Sequence, residues 1–124
     1  MLLDTYAWIE FFIGSEEGKR VEEMIKSGNK IYTCILSLAE IVSWCLRNGE
    51  NVEEKITVVK SYSDILDLNE TITETGGRIN FATRKTVKDF GMIDSLIYAT
   101  AQTYGLKLLT GDEHFKNLED VVML

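Results

Sequence analysis

The chain has 124 residues, of which 45% are hydrophobic and 27% charged, with a net charge of −7 and no proline. This balance is typical of a soluble globular protein, and the length suits one domain over residues 1–124. The acidic surplus argues against a broadly basic surface for nucleic acid but does not exclude nucleic acid, because clustered acids can bind cations that in turn hold phosphates. No apolar run approaches the ~20 residues of a membrane span, and the first residues lack a signal-peptide pattern, so we expect a cytoplasmic protein.

The first half of the chain alternates between strand and helix patterns. In order it predicts strand MLLDT, helix YAWIEFFIG, helix SEEGKRVEEMIKSGN, strand KIYTCIL, helix SLAEIVSWCLRNG and helix NVEEKITVVKSYSD. Gly14 and Gly49 follow two of these helices and are suited to end them. The first strand ends at Asp4, a charge placed directly after an apolar run.

The second half continues the alternation. It predicts strand ILDLN, helix ETITETGGRINFATRKTVK, helix MIDSLIYATAQTYG, strand KLLT, a turn with a short helix in GDEHFKNLED, and a last strand VVML. Such alternation favours an α/β fold with a parallel sheet covered by helices on both faces. Ligands in these folds bind beyond the carboxyl ends of the strands, where Asp4 and Asp112 would lie.

Four acids stand at predicted strand ends or helix starts, and each also has a structural explanation. Asp4 precedes a helix and suits an N-cap. Ser37 and Glu40 have the spacing of a capping box, which places Glu40 in the first turn of its helix. Asp112 follows a glycine in a turn, whereas Asp94 heads a helix that is apolar on more than one face and is the hardest to explain structurally.

The combination of these four acids indicates a site for a hard divalent cation. Mg²⁺ and Mn²⁺ prefer oxygen ligands and are held by a few carboxylates together with substrate phosphates. Such ions can activate a water for phosphodiester hydrolysis without a serine, histidine or cysteine nucleophile. The sequence therefore favours a metal-dependent phosphodiesterase.

Other residues that could carry chemistry have simpler explanations. Cys34 and Cys45 are too few for a disulfide framework or, with one histidine, for a zinc site, so we expect reduced structural thiols. His114 is expected to have a surface or packing role. The remaining acids near turns are expected to be solvated: Asp64, Asp67, Asp89 and Asp120. Aromatic residues expected in the core or an interface are Trp8, Phe11 and Phe12.

The chain resembles the PIN-domain ribonucleases, and among them the VapC toxins of toxin–antitoxin pairs. The resemblance covers nearly the whole chain and rests on LLDTYAWIEFF, ILSLAEIV and MIDSLIYATAQTYGLKLLTGDEHF. It implies a three-layer α/β/α PIN-like fold with a mostly parallel sheet, an Mg²⁺- or Mn²⁺-dependent endoribonuclease, an antitoxin with a basic segment and a homodimer. The implied catalytic and metal-binding acids are Asp4, Glu40, Asp94 and Asp112. The implied supporting hydroxyls are Thr5, Ser37 and Thr110.

The contact with RNA and the biological role stay open at this point. The one basic stretch is either a solvated helix face or a phosphate guide, and it comprises Arg78, Arg84, Lys85 and Lys88. The alternatives are a PIN nuclease that processes RNA without an antitoxin and a non-catalytic PIN module that binds a partner. A phospho-accepting signalling domain is disfavoured, because Asp4 has no acidic neighbour after the first strand and Lys107 precedes its strand.

Overall fold

Five short strands form one sheet in which every neighbouring pair is parallel, as described by a computed structural model that covers residues 1–124. The strands are β1 (Leu2–Leu3), β2 (Tyr32–Cys34), β3 (Asp64–Leu66), β4 (Leu108–Thr110) and β5 (Val121–Met123). Their order across the sheet is β3-β2-β1-β4-β5. The first strand is therefore the central one, with β2 on one side and β4 on the other.

Six helices cover the two faces of this sheet. They are α1 (Thr5–Ile13), α2 (Glu16–Lys26), α3 (Ile35–Arg47), α4 (Val52–Tyr62), α5 (Glu70–Thr83) and α6 (Met92–Thr103), and a 3₁₀ turn spans Glu113–Phe115. None of these helices is both long and apolar enough to cross a membrane.

Alternating strand side chains divide the core into two apolar clusters, one on each face of the sheet. Leu3 and Leu109 belong to a cluster with residues of α1 to α4, whereas Leu2 and Leu108 belong to a cluster with residues of α6. The predicted three-layer α/β/α architecture is thereby confirmed. Cys34 and Cys45 are free and buried in these clusters, as the sequence predicts.

The third helix begins earlier than the sequence indicates. The strand β2 ends at Cys34, and α3 starts at Ile35 rather than near Ser37. The central strand β1 ends at Leu3, which pairs with Thr33, so beyond that point β2 is paired on one side only, through Cys34 and Leu66 of β3. The capping box is therefore wrong: the N-cap is Cys34 with no side-chain cap bond, and Glu40 lies in the second turn of α3.

The fifth helix ends at Thr83, five residues before the end of the predicted helix at Lys88. The chain then turns back, because Phe90 is fully buried and its carbonyl accepts a hydrogen bond from the buried Asn80 amide at 3.0 Å. A continuing helix could not return to the core in this way. Gly76, which the sequence suggests would weaken the helix, allows close packing, since a Cβ there would lie 2.6 Å from Cδ2 of Leu96 on α6.

Candidate active site

The carboxyl edge of the sheet gathers the four acids that the sequence singles out. Asp4 follows β1 directly, and Asp112 lies just beyond β4, the neighbour of β1. Glu40 belongs to α3, which leaves the end of β2, and Asp94 lies in the first turn of α6. The parallel topology thus brings residues from the whole length of the chain to one edge.

Asp4 is a buried carboxylate, with 3% of its surface exposed. Its Oδ1 accepts a hydrogen bond of 2.9 Å from the Ala7 amide, so it is the N-cap of α1, as predicted. Its Oδ2 accepts a bond of 2.5 Å from the Thr110 hydroxyl. Burial nevertheless raises the pKa of Asp4 to about 7, because these two bonds only partly offset the loss of hydration.

Glu40 is held by hydroxyl groups rather than by a helix cap. Thr5 Oγ1 donates a hydrogen bond of 2.6 Å to Oε1 of Glu40. Oγ1 of Thr5 also lies 3.0 Å from Oγ of Ser37, a fully buried residue. Thr5 therefore holds Glu40 directly between α1 and α3, and Ser37 does so through its contact with Thr5. These are two of the three hydroxyl residues that the resemblance implies.

Asp94 is half-buried at the head of α6 and receives no side-chain hydrogen bond in the structure. Burial, and after it the negative charges of Asp112 and Glu40, raise its pKa to about 6. Asp94 is thus the acid with the fewest protein donors. Its charge is the most open to a ligand.

Asp112 lies in a turn that Thr110 and His114 organise. The Asp112 amide donates a bond of 2.9 Å to Oγ1 of Thr110, the same hydroxyl that donates to Asp4. Oδ1 of Asp112 accepts a bond of 2.9 Å from the His114 amide and lies 2.7 Å from Nδ1 of the His114 ring. Thr110 therefore links two acids directly.

The contacts of His114 are a feature that the sequence analysis missed. Its Nε2 lies 3.0 Å from Oδ2 of Asp89. Asp89 is exposed, as the sequence predicts, but it pairs with His114 rather than with solvent alone. The two carboxylates, Asp89 first and Asp112 second, raise the pKa of His114. The two-residue spacing of Asp112 and His114 was a local signal for one of these contacts, whereas nothing local indicated Asp89.

The four acids share one electrostatic neighbourhood. The charges of Asp112 and Asp94 raise the pKa of Asp4, and those of Asp112 and Glu40 raise the pKa of Asp94. No lysine or arginine forms an ion pair with any of the four. These carboxylates and the hydroxyls beside them form an all-oxygen donor set, which fits Mg²⁺ or Mn²⁺ in its chemistry. No three acidic, histidine or cysteine side chains are close enough to form a ready-made metal-binding group.

A family model of the PIN domain matches residues 1–121. The chain belongs to the PIN-domain family. This membership confirms the resemblance stated from the sequence and argues against the phospho-accepting alternative. No curated protein is detectably similar in sequence.

Solved structures of similar shape include toxin–antitoxin proteins. A chain of VapBC2 from Rickettsia felis bound to a promoter DNA fragment is 19% identical with a TM-score of 0.77, and the match covers 99% of this chain and 96% of that one. VapC20 from Mycobacterium tuberculosis, a toxin that cleaves the sarcin–ricin loop, is 14% identical with a TM-score of 0.79 over 99% and 98%. A toxin–antitoxin complex from Klebsiella pneumoniae matches at 21% identity with a TM-score of 0.75 over 98% and 95%. At these identities the likeness shows the fold.

The basic stretch of this PIN domain lies outside the acidic edge. All four of its members are exposed, and none contacts the four acids: Arg78, Arg84, Lys85 and Lys88. Phe81 stands among them with 71% of its surface exposed, and Nζ of Lys85 lies 4.9 Å from the centre of its ring. The structure places this basic face on the end of α5 and the following turn, which leads through Asp89 to His114.

Proposed function

We propose that this PIN domain is a metal-dependent endoribonuclease and the toxin of a type II toxin–antitoxin pair. The observation that carries the proposal is the group of four carboxylates at one edge of the sheet, none of them paired with a lysine or arginine, with Asp4 and Asp94 raised in pKa. Burying such charges is costly unless a cation neutralises them, so their presence together favours a metal-binding role. The similarity in fold to VapC toxins supports the biological part of the proposal.

The proposed roles follow from the contacts of each residue. Asp4, Glu40, Asp94 and Asp112 would hold Mg²⁺ or Mn²⁺. When bound, such an ion supplies positive charge to a phosphodiester and lowers the pKa of a water. Thr110 orients Asp4 and the Asp112 turn through its two hydrogen bonds, and Thr5 with Ser37 orients Glu40.

The basic face of α5 is the proposed guide for RNA. Residues 75–88 carry four cationic and no anionic side chains within a chain of net charge −7. Arginine and lysine contact phosphates, and an exposed aromatic ring such as Phe81 can stack on an unpaired base. A cleavable single strand would then reach the acids past the turn that carries Asp89.

Two apolar surfaces support the proposed protein partners. Ile35, Met92 and Ile93 are exposed at the starts of α3 and α6, and a homodimer would cover them. A second surface consists of Phe11, Phe12, Trp44 and Tyr62, which pack ring against ring, and we call it the aromatic cluster. An amphipathic antitoxin helix would lie on this cluster, above the fully buried Trp8, and a basic residue would reach toward Asp4 and Asp94.

The proposal is tested by cleavage of labelled RNA of several classes in Mg²⁺, Mn²⁺ or EDTA. We expect cleavage with either metal, none in EDTA, and none by Asp4→Asn or Asp94→Asn, both of which should fold because each replacement keeps the side-chain shape. Asp120→Asn, which alters an exposed acid directly before β5 and so at the opposite edge of the sheet, is the matched control and should cleave normally. Near wild-type cleavage by either site variant would refute the metal-binding assignment.

A further inference from the structure

Two segments of the chain meet beside the acidic edge through adjacent pairs of residues. On the exposed side, the His114 ring lies 3.0 Å from Asp89. On the buried side, the fully buried rings of Phe90 and Phe115 pack edge to face with centroids 5.3 Å apart. Residues 89–90 of one segment are thus matched to residues 114–115 of the other by one polar and one apolar contact.

Each of these segments carries one of the four acids. The segment with Phe90 leads directly into α6, where the Ser95 hydroxyl donates to the Gly91 carbonyl at 2.9 Å and accepts from the buried Asn80 amide at 3.0 Å. These bonds fix the first turn of α6, which contains Asp94. The other segment is the turn of Asp112, so the matched pairs set the position of one acid relative to the other.

The contact between His114 and Asp112 also selects one carboxylate oxygen. Oδ1 of Asp112 receives the His114 amide at 2.9 Å and faces the His114 Nδ1 at 2.7 Å. No protein donor reaches Oδ2, which is therefore the oxygen of Asp112 left for a ligand. His114 thus holds the rotation of the carboxylate as well as the position of its segment.

We propose that His114, braced by Asp89, is a positioning residue that holds Asp112 in register with Asp94 for binding of a divalent cation. This inference rests on the proposed function, since it concerns the same acidic site. It assigns no contact with RNA or with the reacting atoms to His114. Groups that orient the ligands of a metal site typically change metal affinity or activity about 10- to 100-fold when they are removed.

The test measures Mn²⁺ affinity of the purified protein by titration calorimetry in the absence of RNA. We expect His114→Ala to weaken Mn²⁺ binding about 10-fold or more. His114→Asn keeps an N–H near the position of Nδ1, so it should recover part of that loss by restoring the contact with Asp112. Asp89→Ala leaves the His114–Asp112 contact intact but removes its brace, and should give a smaller loss that Asp89→Asn, which can still accept from Nε2, largely repairs.

Two controls separate positioning from general damage. Glu119→Ala removes an exposed acid that precedes β5, at the opposite edge of the sheet, and should leave Mn²⁺ affinity unchanged. Thermal unfolding of each variant shows whether the fold is retained, and Asp89→Ala, at an exposed site, keeps the test valid even where His114→Ala unfolds. In an RNA cleavage assay run in parallel, the variants that bind Mn²⁺ more weakly should show a higher KM for Mn²⁺ and a nearly unchanged cleavage rate at saturating Mn²⁺.

The inference is overturned where folded His114→Ala and Asp89→Ala both bind Mn²⁺ as the unaltered protein does. It is also overturned where His114→Asn and Asp89→Asn are no better than the alanine variants, because the contacts then carry no positional information. Failure of the proposed function looks different: the unaltered protein would neither bind Mn²⁺ nor cleave RNA.

Discussion

The hydroxyl of Thr110 donates a 2.5 Å hydrogen bond to Oδ2 of Asp4, joining two residues that are 106 positions apart in the chain. Oγ1 of Thr110 also accepts a hydrogen bond from the amide of Asp112, so one side chain contacts two of the four acids. Thr110 is fully buried, and Asp4, which accepts its bond, is 3% exposed. The positions of Asp4 and Asp112 at the acidic edge therefore depend on Thr110.

Thr110→Val is expected to damage the site more than the fold. Valine has the shape of threonine but leaves Oδ2 of Asp4 without a donor, which costs about 1–3 kcal/mol while Asp4 is charged. RNA cleavage should fall sharply, and thermal stability should fall more at pH 8 than at pH 5. Thr110→Ser, which keeps the hydroxyl, is the matched control and should retain most activity; equal behaviour of the two variants would contradict the role of the hydrogen bond.

Glu40 is expected to matter through its charge and not through helix capping. Glu40→Gln keeps an acceptor for the Thr5 hydroxyl but removes the charge, so cleavage should be lost with little change in melting temperature. Glu40→Ala should also leave the melting temperature nearly unchanged, because Glu40 lies in the second turn of α3. Full activity of Glu40→Gln would show that Glu40 has no part in metal binding.

Stability without metal is expected to fall as the pH rises from about 4 to about 7. The folded-state pKa of Asp4 is about 7, against an ordinary value of 3.8. The folded protein therefore binds more protons than the unfolded chain in this range, and stability that is fully present below the ordinary pKa is lost as the pH rises through the folded value. The full shift corresponds to roughly 4 kcal/mol in the free energy of unfolding.

Denaturant unfolding in EDTA at a series of pH values measures this slope. Asp94, also raised in pKa, adds to it in the same direction, so Asp4→Asn should flatten the slope without removing it. The raised pKa of His114 adds a fall of the same sign only above its ordinary value of 6.5. Mn²⁺ should restore stability at pH 8 in the unaltered protein and much less in Asp4→Asn. A free energy of unfolding that rises from pH 4 to pH 7 in EDTA would contradict the raised pKa of Asp4.

RNA affinity is expected to depend only weakly on monovalent salt. Four exposed cations on the basic face allow about four phosphate contacts, and each contributes about −0.7 to the slope of log affinity against log salt for a single strand. Binding of RNA to Asp94→Asn at constant Mg²⁺ measures the slope without cleavage. Arg84→Ala should reduce it by about 0.7, and Lys26→Ala, on α2, should not. A slope that corresponds to eight or more contacts would require another basic surface.

An antitoxin is expected to protect cells through the aromatic cluster and the acidic edge together. Expression of the chain alone should slow growth, and co-expression of a neighbouring small reading frame with a basic tail should restore it. Deleting that tail should weaken the rescue. Tyr62→Ala, at a residue of the aromatic cluster that is 50% exposed, should weaken binding of the antitoxin but not RNA cleavage.

Tyr104 provides the matched control for that experiment. It is 48% exposed at the end of α6, away from the aromatic cluster, so Tyr104→Ala should bind the antitoxin normally. A chain that is harmless, monomeric and inactive on RNA with either metal would instead favour the non-catalytic module.

Local patterns predicted the sheet and the positions of Asp4 and Asp112, because parallel strands place their carboxyl ends at one edge. They failed where distant residues decide the outcome. The end of β2 depends on the short central strand, and the end of α5 depends on Asn80 and the buried Phe90. The contact between Asp89 and His114 joins residues 25 positions apart, a distance at which side-chain periodicity carries no signal.

The central position of β1 has a consequence for synthesis of the chain. This two-residue strand is made before the other four, yet its partner β4 (Leu108–Thr110) follows it by more than a hundred residues. A nascent chain that ends before Leu108 carries Asp4, Glu40 and Asp94 but lacks the strand and the hydroxyl that hold Asp4 in place. Long-range pairing of this kind forms late in folding. For the proposed ribonuclease, that order of assembly leaves the acidic site incomplete until β4 has been made.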